Sequence, residues 1–105
     1  MPGGSPTLVW THRADGDLGR ALLFLEDQSP VAAEHWAAEL FSRVALLQDQ
    51  PELGAAVDLD GGPSPYRRLI VGRYAVYYRH ERDRHRVLII RLWHSARDPR
   101  ALVLE

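Results

Sequence analysis

The sequence has no cysteine and no lysine. The first absence excludes disulfides and thiolate metal sites. The second makes all 13 basic residues arginine. Each cation is therefore a planar guanidinium, shaped to grip a carboxylate or a phosphate with two parallel hydrogen bonds. No apolar run approaches the ~20 residues that a bilayer requires. The opening MPGGSP has neither a charged n-region nor an apolar h-region, so it is not expected to act as a signal peptide. Residues 1–6 read as a flexible tail and residues 7–105 as one domain, large enough to fold without staples. A cytoplasmic protein that does not touch membranes is the expectation. Glycine-rich phosphate loops and nucleophile elbows are missing too. Gly61-Gly62 precedes Pro63 rather than a helix, and reads as linker. The five histidines, His12, His35, His80, His85 and His94, have no metal-ligand spacing. Neither metal nor cofactor is expected.

What the chain does have is a divided charge. Residues 1–65 hold 3 arginines against 10 acids, a balance of -7, and residues 66–100 hold 10 arginines against 3 acids, a balance of +7. With Glu105 the total is -1. Such a split suits a face that meets an anionic partner, and equally suits halves that neutralise each other within the fold.

The elements follow from period and punctuation. TLVW at 7–10 is a short strand. Leu18, Ala21, Leu22 and Leu25 form a helical stripe, with Thr11 as N-cap and Asp15 and Asp17 in the first turns. Ser29-Pro30 starts a second helix that runs to about Gln48 or Gln50 and buries Ala33, Trp36, Ala37, Leu40, Val44 and Leu47. The short link implies an antiparallel helix hairpin. Residues 52–65 are rich in turn formers and read as a loop. From Tyr66 the period becomes two. YRRLIV, Gly72-Arg73 and YAVYYR form a β-hairpin on a type II′ turn. Its register places Val71 opposite Tyr74, Leu69 opposite Val76 and Arg67 opposite Tyr78. That face packs on the helices. Tyr66, Arg68, Ile70, Ala75, Tyr77 and Arg79 take the other. In the last strand, RVLIIRLW, amphipathicity puts Val87, Ile89, Arg91 and Trp93 beside Tyr77 and Arg79, although a one-residue slip would reverse this. The class is α+β: a strand, an antiparallel helix hairpin, then three antiparallel strands, in one sheet with helices on one face.

The chemistry-bearing feature is the arginine–aromatic face of Tyr66, Arg68, Tyr77, Arg79, Arg91 and Trp93, followed by His94-Ser95-Ala96-Arg97-Asp98. It can bind phosphates and stack bases, or grip a partner's carboxylates, or it can be a solvated outer sheet face. His94 can be a general acid. Arg97-Asp98 reads more simply as an ion pair at a strand end.

The order and spacing of several short pieces resemble the ParE/RelE toxins of bacterial type II toxin–antitoxin systems, also called plasmid stabilisation proteins. The pieces are A-x-x-D-L at Ala14–Leu18, S-P-x-x-A at Ser29–Ala33, P-x-L-G at Pro51–Gly54, the hairpin Tyr66–Arg79 and R-L-W-H-S-A-R-D-P at Arg91–Pro99. The resemblance spans Leu8 to Pro99 and implies the RelE/ParE-like fold. RelE-like members cut mRNA on the ribosome, whereas ParE-like members trap DNA gyrase. Nuclease members place an arginine after the tyrosine that opens the third strand; here Ala75 follows Tyr74. They also use lysines, absent here, and their second catalytic arginine falls near Ser95, or at Arg97 in a shifted alignment. A nuclease would have to draw on Tyr77, Arg79, Arg91, His94 and Arg97. The ending H-S-A-R-D-P is more like the ParE branch. The resemblance thus implies a gyrase-inhibiting toxin, with ribosome-dependent mRNA cleavage as the alternative. It also implies a hetero-oligomer with an antitoxin whose acidic C-terminal segment lies over the toxin. Arg67, Arg68, Arg73, Tyr77, Arg79, Arg91, Trp93, His94 and Arg97 are the expected contacts with antitoxin or target.

Overall fold

A computed structural model describes residues 4–104; Met1–Gly3 of the expected tail, and Glu105, lie outside the described residues. Among the described residues the order is β1 (Thr7–Trp10), α1 (His12–Gln28), α2 (Pro30–Ala45), β2 (Ala55–Leu59), β3 (Gly62–Val71), β4 (Tyr74–Glu81) and β5 (Arg86–His94), with 3-10 turns at Leu46–Gln48, Arg82–Arg84 and Pro99–Ala101. The strands form one mixed sheet in the order β1-β5-β4-β3-β2, in which β1 runs parallel to β5 and the other neighbours are antiparallel. No helix among the described residues is long and apolar enough to cross a membrane.

The helix caps are those the sequence signals. Thr11 accepts the Ala14 N–H at 3.1 Å. Ser29 serves both helices: its N–H donates to the Leu25 carbonyl at 2.8 Å and its hydroxyl accepts the Ala32 N–H at 3.2 Å. A single residue therefore closes α1 and opens α2. One face of the sheet packs on them. Leu69, Val71, Tyr74, Val76 and Tyr78 join Ala14, Ala21, Leu40, Val44 and Leu47 in the main core. Each fully buried large side chain there contributes about 1.5–3 kcal/mol. The hairpin register is as read from the sequence, with Val71 paired to Tyr74, Leu69 to Val76 and Arg67 to Tyr78 about Gly72 at φ +61°.

Two expectations fail. Residues 52–65 are not a loop, because β2 and the start of β3 lie within them. They form a hairpin on Asp60-Gly61, whose φ values of 53° and 78° are those of a type I′ turn. Gly61-Gly62 is thus turn and strand start, not linker. Pro63 and Pro65 argue against a strand, but Gly62 and Pro63 pair with β2, and the pairing with β4 begins only at Tyr66. On their β4 side these residues form an edge, where a missing N–H costs no ladder bond.

The second failure is in β5. Tyr77 pairs with Arg91 and Tyr78 with Ile89, so Ile90 is an extra residue. This bulge turns the strand over. Arg91 and Trp93 stay beside Tyr77 and Ala75, as expected, but Val87 and Ile89 enter the main core, and Ile90 moves to the opposite face. The carbonyl of Ile90 accepts the Thr11 hydroxyl at 3.0 Å, so the residue that caps α1 also supports the bulge.

The entry into β2 is held by Gly54. Its N–H donates to the buried Tyr78 hydroxyl at 2.8 Å, and its carbonyl accepts Arg67 at 2.8 Å. A Cβ here would lie 2.7 Å from the Arg68 carbonyl and 2.8 Å from the Tyr78 ring. Gly54→Ala is therefore expected to destabilise the fold by about 3 kcal/mol, read from urea unfolding. An unchanged midpoint would show that this contact is not tight.

Candidate functional site

The outer sheet face does hold the expected arginines and rings together, but most of it is covered. Tyr66, Ala75, Tyr77, Ile90, Trp93 and Leu104 form a second small core, with Val57, Leu88 and Leu102 against it. Tyr77 is 6% exposed and Trp93 4%. The chain's own end supplies the cover. After β5 it turns back through Pro99–Ala101 and lays Leu102 and Leu104 on the rings. A solvated face with free aromatics is thus corrected to a sealed one, because two leucines beyond Pro99 find apolar partners there.

Arg91 sits at the edge of this second core, 8% exposed, facing Asp17 of α1, 6% exposed. Its Nε donates to Asp17 Oδ2 at 2.7 Å and its Nη2 to Oδ1 at 3.2 Å. Asp17 also accepts the Leu92 N–H at 3.0 Å and Arg20 Nη2 at 2.8 Å. β1 pairs with β5 only as far as Ile89, and beyond that point Asp17 answers a strand N–H in its place. Burial pushes the Asp17 carboxyl upward. The hydrogen bonds from Arg91, the Leu92 N–H and Arg20, with the nearby Arg91 charge, outweigh it and hold the group below the ordinary aspartate range. The sequence pattern places Asp17 only in the first turns of a helix. The overlooked signal is an acid at i+3 of a stripe whose other members, Ala14, Leu18 and Ala21, are all small or apolar.

The remaining expected contacts divide into held and open groups. Arg79 pairs with Glu81 at 2.5 Å and lies 5.6 Å from the centre of the Tyr66 ring. Glu81 also takes Arg86, and these arginines hold its carboxyl below the usual range. Arg67 is spent on the carbonyl of Gly54. Arg68 and Arg73 are exposed, one on β3 and one in the hairpin turn. At the end of β5 a tight turn follows. Ser95 N–H bonds to the Arg73 carbonyl at 2.8 Å and Ala96 N–H to His94 Nδ1 at 3.0 Å. This turn sets His94 edge-on to Tyr74, with ring centres 5.0 Å apart, and lays Arg97 over Trp93 at 3.8 Å from the ring centre. Asp98 pairs with Arg100 at 3.0 Å, so the Arg97-Asp98 pair suggested by adjacency is not formed. Among the described residues no cluster of three or more His, Cys, Asp or Glu is placed to hold a metal ion.

Arg91 and Arg97 should therefore respond differently to truncation. Arg91→Ala is expected to cost about 3–5 kcal/mol, because it leaves a buried carboxylate without its partner, whereas Arg97→Ala costs under ~1 kcal/mol. The folded-state pKa of Asp17 is depressed, so its contribution is present above the unfolded aspartate value and is lost as pH falls through the folded one. Stability is expected to decline below about pH 4, with a flatter acid limb in Asp17→Asn. Chemical denaturation from pH 2 to 7 checks both. Equal losses for the two arginines would contradict the assignment.

No curated protein matches the sequence. A solved structure, the toxin–antitoxin complex RelBE2 of Mycobacterium tuberculosis, matches with a TM-score of 0.60 and 20% identity, over 91% of this chain and 98% of that one. At that identity the likeness concerns the fold, and it agrees with the helix hairpin and mixed sheet described above. The family model for the ParE toxin of the type II toxin–antitoxin system parDE matches residues 8–99, from the first strand through the turn that carries His94 and Arg97. The chain belongs to this family of type II toxin–antitoxin toxins.

Proposed function

We propose that this toxin acts by binding rather than by cleavage: it poisons DNA gyrase in the cytoplasm and is neutralised by a cognate antitoxin in a hetero-oligomer. The observation that carries the reading is the state of the outer sheet face. A nuclease needs an exposed cation for the phosphate and a group that takes the 2′-hydroxyl proton. Here Arg91 is buried on Asp17, Arg79 faces Glu81, and Tyr77 and Trp93 lie beneath Leu102 and Leu104, so that of the five residues a nuclease would draw on His94 and Arg97 alone stay open. Ala75, at the position where nuclease relatives carry arginine, offers no charge. The partner reading is supported by the family match and by the fold shared with RelBE2, itself a toxin–antitoxin complex. The concentration of exposed arginine in the C-terminal half suits an acidic segment, since guanidinium and carboxylate pair bidentately.

Purified protein is expected to inhibit gyrase supercoiling of relaxed plasmid and to raise the fraction of cleaved DNA trapped with gyrase. Unchanged supercoiling and cleavage would overturn the reading. Codon-boundary cuts in cellular mRNA after induction, read by primer extension, would favour the RelE-like alternative.

A further inference from the structure

Away from the sealed sheet face lies a recess where cations and donors remain available. It is a cavity of about 170 Å³ between α1 and the end of β5, lined by Arg20, Tyr74, His94 and Arg97 above a floor of Asp17, Ala21 and Leu92. The carboxylate in the floor is already saturated by Arg91, Leu92 N–H and Arg20. Arg97 rests on the Trp93 ring and has no carboxylate partner among the described residues. The Nδ1 of His94 accepts the Ala96 N–H, which leaves Nε2 as the nitrogen that carries a proton. Burial raises the pKa of the Tyr74 hydroxyl, so it stays a donor. Each of these free groups can therefore donate. Beside it, Phe24, whose ring meets His94 edge-on, is 52% exposed.

We propose that this recess is an anchor site for a single Asp or Glu side chain of a polypeptide partner, whose neighbouring apolar residues rest on Phe24. Two observations select a carboxylate on a peptide over a phosphodiester backbone. The cavity is small and recessed, which a flexible side chain can enter and a stiff phosphodiester backbone cannot. An apolar rim adds contact area for a protein segment, in the manner of an amphipathic segment laid on a groove. The inference rests on the antitoxin reading for the identity of its partner, though not for the chemistry of the pocket. It assigns a role to Arg20, His94 and Arg97 that does not involve the outer sheet face.

The test uses the full chain and capped acetyl-Glu-Leu-Leu-amide, with the glutamine analogue and inorganic phosphate as comparisons. In NMR titrations the glutamate peptide is expected to shift the His94 imidazole and the Arg20 and Arg97 Nε–H signals saturably. The glutamine analogue is expected to bind roughly tenfold more weakly, the loss of one charge-assisted hydrogen bond or more. Arg97→Gln should weaken the glutamate peptide alike, with the fold retained by circular dichroism, and His94→Gln gives a second variant of the same kind. Equal binding of the two peptides would overturn the proposal, and so would tighter binding of phosphate than of the glutamate peptide. Should a co-expressed antitoxin fail to relieve growth arrest while the glutamate peptide still binds selectively, the antitoxin reading falls and the pocket stands.

Discussion

One buried carboxylate ties the helix layer to the sheet. Asp17 takes four hydrogen bonds on two oxygens, from Arg91 twice, from the Leu92 backbone and from Arg20. It lies where β1 has ended and β5 continues, so it replaces a missing strand with a side chain. A buried ion pair of this kind adds little net stability over a well-packed apolar pair, but losing either partner is costly. Its value lies in geometry. It fixes the rotation of β5 just after the Ile90 bulge. That rotation puts Trp93 under the C-terminal leucines and starts the turn that presents His94 and Arg97. The same Thr11 that caps α1 supports the bulge, so helix position and strand twist are set together.

This constraint changes the meaning of an arginine-only cation set. Guanidinium suits buried pairing, stacking and carbonyl capture as well as partner recognition. The chain uses it for all three internally. Arg91 pairs with Asp17, Arg79 with Glu81 over Tyr66, and Arg67 holds the Gly54 carbonyl. Part of the opposed charge of the two halves is therefore internal neutralisation: Asp17 in the acidic half meets Arg91 in the basic one. What remains for a partner includes Arg68, Arg73, Arg84 and Arg97, together with the exposed side of Arg20. Of these, Arg20 and Arg97 flank the recess where His94 and Phe24 lie.

Local signals are legible wherever one residue decides the backbone. Ser29-Pro30, Thr11 and Gly72 each act within a few residues, and the helix starts and hairpin register follow from them. Non-local decisions are hidden. β2 is obscured because Pro63 and Pro65 are poor strand residues unless their free side is an edge, and that depends on where the pairing of β3 with β4 stops. The Ile90 bulge leaves no mark in VLIIRLW, since every position there is apolar or long enough for either face. The cover by Leu102 and Leu104 depends on a chain reversal at Pro99 that amphipathic pattern does not report. The period of two brings Tyr66, Tyr77, Arg79, Arg91 and Trp93 to one face, but it does not report that face's exposure. Asp17 is easily passed over, because an acid in the first turns of a helix already has an explanation.

The central claim is that Arg91 serves architecture and not chemistry or contact. The most direct measurement is growth after induction of the double variant Asp17→Asn/Arg91→Met, with folding checked by circular dichroism and thermal unfolding. The asparagine retains an acceptor for the Leu92 N–H, and the methionine fills much of the arginine's volume without leaving a charge unpaired. A folded double variant that still arrests growth is the expected result. A double variant that folds as the parent does but no longer arrests growth would show that Arg91 itself acts on the target, and would contradict the account.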